Sequence, residues 1–68
     1  MIKLDNLIKE KRVERGWTQD ELAEKVDVSR QTVISLEKGR YNPSLLLAFK
    51  IAKLFECSIE DIFIPEEE

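Results

Sequence analysis

Arg30, Gln31 and Ser35, with Ile34 lodged among them, are side chains whose types fit the edges of base pairs. Arginine pairs bidentately with guanine O6 and N7, glutamine does the same with adenine N6 and N7, and an apolar side chain can meet a thymine methyl. Directly behind them, Lys38, Arg40, Tyr41 and Asn42 supply four groups able to hydrogen-bond phosphate oxygens. A merely solvated helix face followed by an ordinary polar loop would have the same composition, with Ile34 a stray exposed residue. Few other chemistries are open. The chain has no histidine and one cysteine, Cys57, so it offers neither a Ser-His nor a Cys-His pair for nucleophilic catalysis, and no donor set for zinc. With two glycines it has no glycine-rich phosphate loop. Enzyme chemistry, a metal site and a cofactor are all excluded on this reading.

These side chains can act together only if a helix presents them. Thr18 is a candidate N-cap, and Glu21 three residues later completes a capping box. Leu22, Ala23 and Val26 then fall at helical spacing and give one buried face. Asp27 and Val28 leave little room before Ser29, a second N-cap residue, starts another helix. On that helix, at about 100° per residue, Val33, Leu36 and the stem of Glu37 share one face. Arg30, Gln31, Ile34, Ser35 and Lys38 spread over the other. Two helices so joined cross steeply, as in the helix-turn-helix unit that offers its second helix to the major groove.

The rest of the chain reads as support. A first helix is expected from about Asp5 or Asn6 to Arg15, with Leu7, Ile8 and Val13 as its apolar residues and Gly16 as a left-handed stop. Trp17 reads as a core plug rather than a base-stacking platform, because single-strand binders use several aromatics. Gly39 closes the third helix; Pro43 and Ser44 open a fourth, from about Leu45 to Phe55. Apolar residues cover roughly 220° of that helix, about twice what a surface helix buries. Leu46 lies outside even this arc, between Lys50 and Lys53. A second partner is implied, and Leu46 and Phe49, with Ile59, Ile62 and Ile64 beyond them, are the expected homodimer interface. Cys57 and Ser58 break the helix, and Ser58 with Asp61 caps a short fifth one, Ile59 to about Phe63. Alternatively, Ile62-Phe63-Ile64 starts an extended segment that pairs with Ile2–Leu4.

Length allows one domain, 1–68, with 66–68 as an acidic tail. Net charge is −3, yet residues 56–68 hold six acids and no base, leaving eight acids against eleven bases in residues 1–55. The basic excess lies where the base-edge residues are. A lone cysteine suits a reducing, cytoplasmic setting, and neither a signal peptide nor an apolar run of membrane-spanning length is present.

From Leu7 to Phe63, and most densely in T-Q-D-E-L-A-E-K-V-D-V-S-R-Q-T-V-I-S-L-E-K-G-R-Y-N-P-S-L, the chain resembles the phage-repressor/Cro-type (XRE) helix-turn-helix proteins. It is most similar to the short stand-alone, cytolysin-repressor-like transcriptional regulators. The resemblance implies an all-α, compact, five-helix repressor-like domain with the helix-turn-helix at helices two and three. It makes a small two-stranded antiparallel ribbon from the termini credible. It further implies a homodimeric repressor on a pseudo-palindromic double-stranded DNA operator. Gln19 would bond a phosphate; Arg30, Gln31 and Ser35 would face bases with Ile34 between them; Lys38, Arg40, Tyr41 and Asn42 would brace the backbone. Arg12 and Glu37 hold the places of a structural ion pair. Asp27 departs from the glycine usual in the turn. An antitoxin-type autoregulator, whose fourth helix binds a different protein, is the alternative.

Overall fold

The two ends of the chain pair with each other. In the computed structural model, which describes residues 2–67, β1 (Ile2–Asn6) runs antiparallel to β2 (Phe63–Glu67), with Leu4 opposite Pro65 and Asn6 opposite Phe63. Between them lie α1 (Ile8–Glu14), α2 (Gln19–Lys25), α3 (Arg30–Glu37), α4 (Leu45–Leu54) and α5 (Ile59–Ile62). Five helices and the terminal ribbon therefore make up a mostly helical domain. The extended alternative for Phe63 and Ile64 holds, and α5 stops at Ile62. Of the tail expected at 66–68, Glu66 and Glu67 belong to β2, and Glu68 lies outside the described residues.

The ribbon also displaces the start of α1. Asp5 and Asn6 were expected to begin that helix; both belong to β1 instead. Asn6 ties three elements together. Its Oδ1 accepts from the Ile8 N–H at 3.1 Å, and its Nδ2 donates to the Leu36 carbonyl at the end of α3 at 2.8 Å. The Leu7 N–H donates to the Ile62 carbonyl at 2.9 Å.

Helix starts follow the expected caps. The hydroxyls of Thr18, Ser29 and Ser44 accept from the N–H groups of Glu21, Thr32 and Leu47, each at 3.1 Å. Helix ends follow one pattern throughout α1–α4. A left-handed residue comes after the C-cap, and the next N–H bonds back across the last turn: Trp17 to Arg12, Val28 to Ala23, Arg40 to Ser35 and Cys57 to Ala52, at 3.0–3.2 Å. Glycine fills that left-handed place at Gly16 and Gly39, both with φ +72°. Asp27 (φ 62°) and Glu56 (φ 55°) fill it without glycine's freedom. The end of α4 is thus fixed at Glu56, one residue before the expected break at Cys57 and Ser58.

The core centres on Ile8, Leu22, Val33, Leu36, Ile51 and Ile62, all under 2% exposed. From α1 only Ile8 enters it; Leu7 and Val13 face solvent, because a seven-residue helix turns one narrow stripe inward. Trp17 sits at the core's edge rather than inside it. Its ring lies 5.6 Å from that of Phe55, the Arg15 guanidinium lies within 5.7 Å of both, and the Lys25 ammonium is 4.8 Å from the Trp17 ring. No helix among the described residues is long and apolar enough to cross a membrane.

Candidate nucleic-acid interface

The face of α3 begins with what holds the helix down. Val33 and Leu36 are sealed in the core, 0% and 1% exposed. At the helix end, the Arg12 Nε donates to Glu37 Oε2 at 2.8 Å and its Nη2 to Oε1 at 3.3 Å, with the two side chains 12% and 5% exposed. Arg12 Nη1 also donates to the Trp17 carbonyl at 2.8 Å. The expected structural pair is present, and its geometry is the bidentate one that favours arginine with carboxylate. A third group joins it. The Gln19 Nε2, at the start of α2, donates to Glu37 Oε1 at 3.3 Å. One carboxylate thus gathers α1, α2 and α3, and its nearly complete burial means that loss of either charged partner would strand the other.

With the inner side so fixed, helical geometry sets Arg30, Gln31, Ile34, Ser35 and Lys38 on the remaining side. Arg30, Gln31 and Lys38 are exposed; Ile34 and Ser35 are half-buried. Arg40, Tyr41 and Asn42 continue as an exposed loop toward α4. Of the residues expected to read bases and to brace phosphates, none is fully buried. Gln19 has one amide hydrogen engaged by Glu37 and a second remaining to donate.

One neighbour of this surface escaped the sequence. Asp20 Oδ1 lies 3.9 Å from the Nε of Arg30, both side chains well exposed. A shallow groove lined by Arg12, Thr18, Gln19, Asp20 and Arg30 runs between the starts of α2 and α3. Asp20 reads locally as an ordinary acid in a helix's first turn, and only the crossing of α2 and α3 reveals that it faces Arg30.

The two capping boxes carry the described shifts in acidity. The backbone N–H of Thr18, and then its hydroxyl, hold the Glu21 carboxyl below its ordinary value. The backbone N–H and hydroxyl of Ser58 do the same for Asp61, at 3.0 and 2.9 Å.

A second surface is apolar. Leu46 and Phe49 are 67% and 56% exposed, and Leu45, of the same helix, is 69% exposed. Ile64 is exposed on β2, and Ile59 is half-buried against the core. Ile62 is a correction. It is 0% exposed, so its side chain cannot meet a partner; the short α5 turns it inward just before the chain enters β2. Beside Phe49 runs a groove lined also by Ala52, Lys53, Cys57 and Ile59.

Comparison with known proteins agrees with this geometry. A family model described as helix-turn-helix matches residues 8–62. A protein of Methanothermobacter thermautotrophicus, described as an uncharacterized HTH-type transcriptional regulator, is 62% identical over 63 residues, covering 91% of this chain and 91% of its own. The HTH-type transcriptional regulator YgzD of Bacillus subtilis is 52% identical over 65 residues, 96% of this chain and 98% of its own. Among solved structures, the transcriptional regulator VanUg superposes with a TM-score of 0.78 at 28% identity, over 98% of this chain and 89% of that one.

Proposed function

On the premise that this chain belongs to the Cro-type helix-turn-helix family and is a DNA-binding transcriptional regulator, not an enzyme, we propose that it is a cytoplasmic repressor that binds a pseudo-palindromic operator as a homodimer. The observation that carries the reading is the division of α3: Val33 and Leu36 are sealed while Arg30 and Gln31 are open to solvent. In this reading α3 enters the major groove. Arg30 and Gln31 pair with guanine and adenine edges, Ser35 bonds a further base, and Ile34 meets a thymine methyl. Gln19, Lys38, Arg40, Tyr41 and Asn42 hold phosphates on either side and set the register.

The dimer rests on Leu46 and Phe49, which together with Ile64 and the outer edge of Ile59 form the interface. Apolar surface of this extent on α4 is better covered than solvated. Two copies would place their α3 helices in successive major grooves about 34 Å apart.

Selection of bound duplexes from random DNA tests the reading directly. The expected product is a site with two inverted half-sites one helical turn apart. Enrichment of no site, or of an unpaired half-site, defeats it. For the interface, sedimentation should show a dimer that Leu46→Glu or Phe49→Glu converts to folded monomer. A wild-type chain that stays monomeric at high concentration would reassign the apolar face to a different protein, as in an antitoxin-type regulator.

A further inference from the structure

We propose that Asp20 is a positioning residue for base readout: it attracts the Nε side of the Arg30 guanidinium, biases the fork away from the body, and lowers affinity for DNA of the wrong sequence. This rests on the reading of α3 as the base-contacting helix. Arginine recognises guanine with its two outermost donors, so a partner at Nε leaves that fork free and directs it. Asp20 lies on that side of the guanidinium, at ion-pair distance and just beyond hydrogen-bond reach. Its Oδ1 lies 3.9 Å from Nε, and no hydrogen bond among the described residues engages the terminal nitrogens of Arg30.

Electrostatics acts in the same direction. An arginine free to swing would pair with the nearest phosphate and bind any sequence. Asp20 competes for that guanidinium, and it does so in the groove it shares with Gln19, the expected phosphate donor. Its carboxylate therefore repels any phosphate that Gln19 takes, within a distance over which salt does not screen fully. At a matching guanine, the fork's two hydrogen bonds offset this repulsion. At other sequences nothing does. Asp20 opposes both kinds of complex but opposes the unspecific one more.

The test is a set of binding titrations against the selected operator and a random duplex, each over a range of salt. Asp20→Asn should bind the random duplex about twofold to fivefold more tightly, with a salt slope steeper by up to roughly one ion. The ratio of operator to random affinity should fall by a smaller factor, about twofold, because operator binding tightens slightly as well. The fall should vanish when Arg30→Ala is already present, because no fork then remains to be aimed. An unchanged ratio, or an equal fall in both backgrounds, overturns the proposal. If Arg30→Ala erodes selectivity while Asp20→Asn does not, the base-reading helix stands and only this inference fails. If the wild-type chain selects no sequence, the reading of α3 fails first. Both side chains are exposed, so each variant should keep the wild-type circular dichroism spectrum, and a lost spectrum would instead make Asp20 part of the fold and overturn the assignment.

Discussion

The turn from α2 into α3 and the turn from α4 into α5 are built from matching parts. Val26-Asp27-Val28-Ser29 makes one and Phe55-Glu56-Cys57-Ser58 the other. Each has a buried C-cap, an acidic residue in the left-handed region, a half-buried small apolar residue whose N–H bonds back to an alanine carbonyl at 3.0 Å, and a serine that starts the next helix. Four residues past each serine comes a side chain with no exposure at all, Val33 in one case and Ile62 in the other. What differs is the side turned outward. The first corner is followed by Arg30-Gln31 on a helix of eight residues, the second by Ile59-Glu60 on a helix of four. A tight corner is only a way of crossing two helices. The exposed residues after it decide whether it meets a polyanion, and the acid-rich second corner would be repelled by one.

The comparison breaks most violently where each following helix is anchored. Glu37→Ala leaves Arg12 buried without its partner and should cost about 3–5 kcal/mol, enough to unfold much of a small domain at room temperature. Ile62→Ala should cost about 2–5 kcal/mol through the cavity it opens. Urea denaturation measures both. The anchors differ in kind: Arg12→Met with Glu37→Leu should recover much of the Glu37→Ala loss, since replacing both members of a buried pair removes the stranded charge. A Glu37→Ala cost below about 1 kcal/mol would make the pair a surface ornament.

Next in size come the outward residues. Arg30→Ala or Gln31→Ala should each weaken operator binding by about 1–3 kcal/mol and relax the preference for one base. Glu60→Ala, at the matching place of the second corner, should leave binding unchanged. Arg40→Ala should weaken all sequences alike and flatten the salt dependence by roughly one ion. Uniform behaviour of the three basic-side variants across sequences would contradict the division into reading and bracing roles.

The left-handed residues separate the corners more gently. Glu56→Gly should stabilise the domain by up to about 1 kcal/mol, because glutamate gains nothing from its left-handed backbone. Asp27→Gly should gain less, since aspartate tolerates that region better. Thermal melts that rank the two in the opposite order would place the strain in the first corner.

These two corners also show what a sequence discloses. Thr18 with Glu21, Ser29, Ser44, and Ser58 with Asp61 signal helix starts from within four residues of themselves, and Gly16 and Gly39 signal ends just as locally. The turn at Asp27 was legible because Ser29 follows so closely, and its left-handed backbone only through the glycine that the family resemblance puts there. Glu56 was not: glutamate carries no preference for a left-handed backbone, and the turn shows only in the folded chain, where Phe55 is buried and the Cys57 N–H bonds back to the Ala52 carbonyl. Asn6 escaped for another reason. Its partner, Leu36, is thirty residues away, and the local pattern reads equally as a helix start. Ile62 looked like part of an apolar surface because the run Ile62-Phe63-Ile64 does not say which members point inward; Ile62 ends α5 against the core, Phe63 beside it is buried as well, and only Ile64 is exposed. On the candidate site, single residues on α3 were legible from helical period. Contacts between helices, Gln19 with Glu37 and Asp20 with Arg30, depend on the crossing angle and were not.

The smallest expected effect distinguishes the corners by acid. Glu21 caps α2, which packs against α3, and Asp61 caps α5, which packs against α4 and β2. Both carboxyls are held below their ordinary values of 4.5 and 3.8 by serine or threonine donors. In each case the unfolded chain takes up its proton at higher pH than the folded one. The stability from these caps is therefore complete above the ordinary values and is lost as pH falls through the lowered ones. Glu21→Gln should remove the acid sensitivity that α2 contributes, and Asp61→Asn that of α5, each seen as a shallower fall of the urea midpoint below pH 4.5. Operator binding adds the sharper discrimination. If α2 supports the reading helix, acid should weaken binding less in Glu21→Gln than in Asp61→Asn, and equal sensitivity in the two would mean that the first corner responds to acid only through global unfolding.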